Sequence, residues 1–217
     1  MLQRLFALLF PPKCILCRKI LSRQETDLCH SCRKETHLFS KAKHKIPFVE
    51  NWTAVWYYSG NVRSSLLRYK FYNARNYAEV YGRFLAMRLL EDWPDGFDVL
   101  TWVPISDRRR RKRGFDQVEL LASAVSRELD TVSVATLKKL RDTKPQSTMS
   151  DTAGRRANVL GAYRVTDPAL IAGKTVLLLD DIITTGSTVS ECARTLLTAG
   201  AKEVHCAAIA AAPHDKK

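Results

Sequence analysis

The sequence predicts an α/β protein whose mostly parallel sheet is flanked by helices, preceded by a small cysteine-rich module. Residues 176–179 are four consecutive apolar residues, a run typical of a strand buried on both faces. Small hydroxylated residues follow, and then a stretch with helical spacing that ends at Gly200. Residues 98–104 form a second apolar run ahead of a helical pattern at 118–129. This alternation of strands and helices indicates a parallel sheet.

The remaining elements divide the chain into three segments. We expect the module at residues 1–40, a hood or flanking segment at 46–96 and a core domain at 97–213. The flanking segment contains an alternating aromatic stretch, 51–58, that favours a strand or hairpin arm, followed by apolar spacing that predicts two helices interrupted near Asn73. The expected core strands are residues 98–104, 132–137, 174–180 and 202–210.

The composition favours a globular protein with an anionic partner. The net charge is +13, with 35 Lys and Arg against 22 Asp and Glu. No apolar run approaches the roughly 20 residues that span a bilayer, and the first residues lack the pattern of a secretory signal, so we expect a cytoplasmic protein. Residues 108–113 read RRRRKR. This run is compatible with a solvated loop, a loop facing pyrophosphate or a nucleic-acid contact.

Four cysteines near the N-terminus have the spacing C-x2-C-x11-C-x2-C. Two such pairs can each hold one side of a tetrahedral ion, so the pattern predicts a structural zinc site with a closed coordination shell. The alternative is a pair of disulfides or free thiols, although nothing else in the sequence indicates an oxidising compartment. The predicted zinc ligands are Cys14, Cys17, Cys29 and Cys32.

The stretch from Val176 to Thr188 carries the strongest functional pattern. Two acids, Asp180 and Asp181, end the predicted strand, and a small-residue loop leads into the next helix. Loop amides and a helix N-terminus form a nest for phosphate, whereas carboxylates suit ribose hydroxyls, directly or through magnesium. The loop residues are Thr184, Thr185, Gly186, Ser187 and Thr188. A P-loop is excluded because the required glycine at 168 is Pro168 and the GKT opens a strand instead of a helix.

This apolar run, acid pair and TTGST loop closely resemble the signature of type I phosphoribosyltransferases. The chain is also similar to the ComF family over nearly its whole length. The further segments that carry this similarity are VPIS, RRRRKRGFDQVELLA, the segment from LRDTKPQ to YRV and the four cysteines. The resemblance implies that Asp180 and Asp181 bind the ribose hydroxyls of magnesium-bound 5-phosphoribosyl-1-diphosphate (PRPP), and that the loop binds its 5′-phosphate. Asp116 departs from the asparagine usual in the family, which weakens a role for this position in anion binding.

The resemblance also nominates cations around the diphosphate. In similar enzymes a loop corresponding to residues 138–156 closes over PRPP, and here that stretch lacks apolar periodicity. Its candidates are Arg141 and Lys144 as catalytic residues, with Gln146 and Arg155 as substrate contacts. Arg108 and Arg113 from the basic run complete the set.

Two functions follow from this resemblance. One is transfer of a phosphoribosyl group from magnesium-bound PRPP to an acceptor that the sequence does not identify. The other is an accessory role in DNA uptake during natural transformation, in which the protein senses PRPP or binds single-stranded DNA through its basic and aromatic segments.

Overall fold

The computed structural model describes residues 11–40, 44–93, 95–143 and 152–213. The helices are α1 His30–Glu35, α2 Gly60–Phe71, α3 Tyr77–Asp92, α4 Asp107–Arg113, α5 Gln117–Glu128, α6 Thr152–Val159 and α7 Ser187–Thr198. The strands are β1 Trp52–Tyr57, β2 Val99–Trp102, β3 Leu137–Lys139, β4 Tyr163–Val165, β5 Thr175–Ile183 and β6 Glu203–Ala211. Within these residues, none of the helices is both long and apolar enough to cross a membrane.

The main sheet is parallel throughout, as predicted, with the strand order β1-β6-β5-β2. Strand β5 lies inside the sheet between β6 and β2, which explains why its residues Val176 to Leu179 are apolar and fully buried. The predicted pair of helices in the flanking segment is confirmed as α2 and α3, separated where Asn73 adopts a positive φ of 54°. The same segment also supplies the edge strand β1 of the main sheet.

The prediction of a core strand at residues 132–137 was wrong. Ser133 makes only an isolated parallel bridge to Leu100, and the further contacts with β2 are single hydrogen bonds from Val134 and Thr136 instead of a continuous ladder. The chain then turns away, and Leu137–Lys139 pairs antiparallel with β4 in a separate two-stranded sheet. The polar and exposed residues of this stretch, including Val132 at 73% exposure, do not supply the two buried faces that an inner parallel strand requires.

The expected basic loop at residues 108–113 is instead part of helix α4. The Ser106 hydroxyl caps its start by accepting a hydrogen bond from the Arg109 amide, and Asp107 places a negative charge in the first turn. Gly114 ends the helix with a φ of +77°. The composition suggested a solvated loop, but these end residues are sufficient to form a short helix.

Two apolar cores lie on the two faces of the main sheet. Leu177 and Leu179 belong to the core that includes α3 and α5, whereas Val176 and Leu178 belong to the core that includes α7. Successive strand residues point to opposite faces, so this alternation sets the direction of the residues that follow. The two acids at the end of β5 therefore leave the sheet on opposite sides.

Candidate functional site

A small cavity lies at the carboxyl end of β5, where the strand passes into α7. It is lined by Asp180, Ile182, Ile183, Thr184, Thr185, Gly186, Ser187, Thr188 and Val189. One of the two predicted acids, Asp180, and all five predicted loop residues therefore lie around one space, whereas Asp181 does not line it. Ligands of open α/β folds bind at this end of the strands, and the cavity is open to solvent.

The loop is shaped by Gly186, which precedes α7 with a φ of +73°. A Cβ atom at this position would lie 2.9 Å from Cγ1 of Ile46, so a larger residue would both strain the backbone and collide with the neighbouring segment. The Thr185 and Ser187 hydroxyls are hydrogen-bonded at 2.9 Å. Helix α7 then presents its N-terminal amides and positive dipole end to the cavity, an arrangement suited to a phosphate.

Asp180 is the acid that lines this cavity. Its Oδ1 accepts a hydrogen bond from the Asp181 amide at 2.8 Å. Burial, together with the neighbouring Asp181 carboxylate, raises the pKa of Asp180 to about 8, although Lys70 and Lys139 act in the opposite direction. A cation or a set of hydroxyl donors placed here would favour the ionised carboxylate.

Asp181 lies on the other side of the sheet and contacts protein through both oxygens. Its Oδ1 is 2.9 Å from Nζ of Lys70, and its Oδ2 accepts a hydrogen bond from Nε2 of Gln117 at 2.9 Å. The side-chain Oε1 of Gln117 in turn accepts a hydrogen bond from Arg113 at 2.7 Å. The two adjacent acids therefore have different surroundings, which their position side by side in the sequence did not indicate.

Helix α4 is joined to the start of the predicted lid. The Ser106 hydroxyl donates to Asp142, and Arg109 donates to the Thr143 carbonyl oxygen at 2.7 Å. Arg108, whose side chain is 83% exposed, lies 3.5 Å from Asp142. These contacts bring the basic helix and residues 142–143 together.

The lid candidates are only partly covered by the structure. Arg141 is exposed and donates to the Leu160 carbonyl oxygen at 2.8 Å. Lys144 and Gln146 lie outside the described residues. Arg155 belongs to α6, but the structure describes only its backbone. Their proposed contacts with a ligand stay predictions.

Asp116 has a structural role that accounts for its departure from the family pattern. Its carboxylate caps α5 by accepting hydrogen bonds from the Val118 and Glu119 amides, and it also accepts from the Ile105 amide. Burial raises the pKa of Asp116, while these amide donors oppose the rise. The carboxylate is occupied by backbone donors, in agreement with the expectation that this position is a poor anion contact.

The sequence did not predict the places of three polar residues near the acids: Lys70, Gln117 and Lys139. Lys139 is buried, donates to the Tyr163 hydroxyl at 3.0 Å, and has its pKa lowered by burial to about 8. Lys70 and Gln117 lie within the LLRYKF and RGFDQ segments, which carried the family resemblance. Those two motifs were the only sequence signal that pointed to Lys70 and Gln117. The contacts of these two residues with Asp181 depend on the tertiary fold.

The four cysteines form a compact cluster whose ligand atoms lie within 4.8 Å of one another. All four are free thiols, and Cys17 and Cys29 have a sulfur–sulfur distance of 3.5 Å. A tetrahedral zinc ion with bonds of about 2.3 Å separates its sulfur ligands by about 3.8 Å, so the cluster fits such an ion. The disulfide alternative does not describe this arrangement.

Comparison with known proteins supports both parts of this architecture. Residues 119–217 match the phosphoribosyl transferase domain family, and residues 5–43 match the double zinc ribbon domain family. The DNA utilization protein YhgH of Escherichia coli O157:H7 is 29% identical over 203 residues, covering 88% of this chain and 86% of the relative. Competence protein F of Haemophilus influenzae is 25% identical over 218 residues, covering 88% and 93%. Competence protein ComFC of Streptococcus pneumoniae is 29% identical over 197 residues, covering 88% and 84%.

The fold and these matches define a phosphoribosyltransferase-type α/β protein with an N-terminal four-cysteine module. Its relatives align over most of the chain, including the segment between the two matched domains. The chain is thus similar over most of its length to proteins named for competence and DNA utilization, in line with the resemblance that its motifs predicted.

Proposed function

We propose that this protein binds magnesium-PRPP or a related ribose phosphate at the carboxyl end of β5 and acts in DNA uptake. The observation that carries the proposal is the cavity in which Asp180 faces the glycine turn and the start of α7. Amides and hydroxyls of residues 184–188 suit the 5′-phosphate, and the acid suits the ribose hydroxyls. The names of the competence relatives support the DNA-uptake role.

If the protein is a transferase, its residues would act by orientation and electrostatics. The loop and the acid would hold the ribose while positive charge develops at its anomeric carbon, and the cations of α4 would stabilise the departing pyrophosphate. Magnesium, bound with the ligand's own phosphates, would supply additional positive charge. The described residues near the cavity supply no obvious acceptor-specific base, so the acceptor is left open.

We further propose that the four cysteines bind a structural zinc ion.

A second candidate function, binding of single-stranded DNA, is favoured by an exposed aromatic pair beside the basic helix. Phe71 and Tyr72 are 60% and 76% exposed at the end of α2. The Arg113 guanidinium lies over the Phe71 ring at 4.9 Å from its centre. Exposed rings next to cations can stack with bases while the cations contact phosphates. This function is compatible with PRPP binding in the same protein.

Calorimetric titration with magnesium-PRPP tests the ribose-phosphate proposal. We expect saturable binding to the wild type and none to the Asp180→Asn, Asp181→Asn double variant. Gly186→Ala should weaken binding by at least about tenfold, because the new methyl group strains the turn and meets Ile46. Lys202→Met, an exposed site at the opposite end of the sheet, is the charge-loss control. Absence of binding to the wild type would contradict both the transferase and the sensor proposals.

A further inference from the structure

The ion pair between Lys70 and Asp181 joins the proposed ribose site to Lys70, a residue that lies outside both matched domains. Lys70 and Gln117 precede residue 119 and follow residue 43, so neither domain match includes them. Both nevertheless contact the second acid of the pair directly, at 2.9 Å each. The site at the end of β5 is therefore completed by the start of α5 and by the end of α2.

We infer that Lys70 is a positioning residue of the ribose-phosphate site, acting through Asp181; this inference rests on the proposed function. The Asp181 side chain is only 6% exposed, so its charge requires a partner inside the protein. Lys70 supplies the opposite charge and Gln117 supplies a hydrogen-bond donor, which satisfies both carboxylate oxygens. With Asp181 held on one face of the strand, Asp180 is presented to the cavity on the other.

The contacts around Asp181 form a closed ring. They run from Lys70 to Asp181, then to Gln117 and to Arg113, whose guanidinium lies over the ring of Phe71. Phe71 directly follows Lys70 in α2, which closes the ring. Asp181 itself is held by two of these contacts, one at each oxygen, which restricts its position as a preorganised site requires.

Fold stability alone is a weak explanation for this ion pair. A buried pair is on average no more stabilising than well-packed apolar residues of similar size, because both charges must be desolvated. Here the pair lies next to Asp180 at the cavity and at the end of the strand where ligands bind. The net pKa of Asp180 is raised by burial and by Asp181, and the charge of Lys70 partly opposes this rise.

A double-mutant cycle on magnesium-PRPP affinity tests the inference. We expect Lys70→Met to weaken binding at least about tenfold, because it leaves a buried carboxylate without its counter-charge. Lys70→Arg should restore most of the affinity, since it keeps the positive charge. In an Asp181→Asn background, Lys70→Met should cause less than about a twofold further loss, because Lys70 acts through that acid.

Thermal unfolding of each variant, with Lys202→Met as the matched charge-loss control, separates folding from binding. If Lys70→Met does not fold, Gln117→Met removes the other donor to Asp181 and tests the same role. Wild-type affinity in folded Lys70→Met would overturn the inference. So would fully additive losses in the cycle, since they would mean that Lys70 contacts the ligand itself. Lack of binding to the wild type would instead overturn the proposed function.

Discussion

Asp180 and Asp181 are adjacent residues with opposite directions and different partners. In a strand, neighbouring side chains leave on opposite faces, so one acid reaches the cavity and the other reaches α2 and α5. Asp180 bears the energetic cost of this arrangement, because burial and the charge of Asp181 raise its pKa to about 8. Asp181 is compensated by Lys70. The pair therefore combines one acid exposed to a ligand with one that supports it.

This difference predicts opposite effects on stability in the absence of ligand. The folded protein retains the Asp180 proton up to about pH 8, whereas the ordinary pKa of 3.8 means that the unfolded chain loses it near pH 4. The native state then binds more protons, so Asp180 makes stability fall as the pH rises between these values. We expect the stability gained by Asp180→Asn, measured by urea unfolding, to grow by about 1–3 kcal/mol from pH 5 to pH 8.

Asp181→Asn provides the comparison for this measurement. It removes the counter-charge of Lys70 in a poorly solvated place, so we expect it to destabilise the fold throughout the same pH range. A gain from Asp180→Asn that does not change with pH, or equal effects of the two substitutions, would contradict the distinction between the acids.

At the scale of elements, helix α2 connects the cysteine module with Asp181. The Asn61 amide lies 3.8 Å from Sγ of Cys32, and Ser65 and Arg68 donate to the Ile15 carbonyl oxygen at 2.6 and 3.0 Å. The other end of the helix carries Lys70. Its twelve residues span about 18 Å, so the module and the acid site are joined by one rigid element.

Zinc removal should therefore weaken ligand binding without any contact between the metal and the ligand. We expect protein stripped of zinc, with the chelator dialysed away before magnesium is added, to bind magnesium-PRPP several-fold more weakly. Restored zinc should reverse the loss, as monitored by calorimetry and by circular dichroism. Arg68→Met removes the hydrogen bonds of this side chain to the Ile15 and Leu16 carbonyl oxygens but leaves that of Ser65 and the thiols intact, so it should reproduce part of the effect. Zinc-free protein with unchanged affinity would contradict this role of α2.

The elements also show what the sequence could specify. Strand β5 and its loop were predictable because a doubly buried strand, a glycine turn and a helix start each have local patterns. The strand expected at 132–137 failed because its short alternating pattern does not reveal which partner it pairs with. Helix α4 was missed because six cations obscured the signals at Ser106 and Gly114. The contact between Lys70 and Asp181 is long-range, and no local pattern encodes it.

At the scale of the whole molecule, the net charge of +13 favours association with polyanions. Much of that charge lies in α4, beside the exposed rings of Phe71 and Tyr72. Arg111 and Lys112 lie on this helix with exposed side chains. Arg113 links the proposed ribose site and the candidate DNA surface, because it contacts both Gln117 and Phe71.

Salt dependence of single-stranded DNA binding tests this surface. We expect neutralising Arg111 and Lys112 to glutamine to flatten the slope of log affinity against log salt by about 1.4, because each lost phosphate contact contributes about 0.7. Phe71→Ala with Tyr72→Ala should lower affinity at every salt concentration without changing the slope, since stacking releases no counterions. Lys174→Gln with Lys202→Gln, at the far end of the sheet, is the matched control. An unchanged slope in the α4 variant would reject that helix as the contact.

The central claim is that a ribose phosphate occupies the space between Asp180 and the start of α7. A crystal structure of the protein with magnesium-PRPP measures this directly. We expect the 5′-phosphate within hydrogen-bond distance of the amides of residues 184–188 and a ribose hydroxyl within reach of the Asp180 carboxylate, with Lys70 still paired to Asp181. Ligand bound at any other place, or a cavity left empty at saturating ligand, would contradict it.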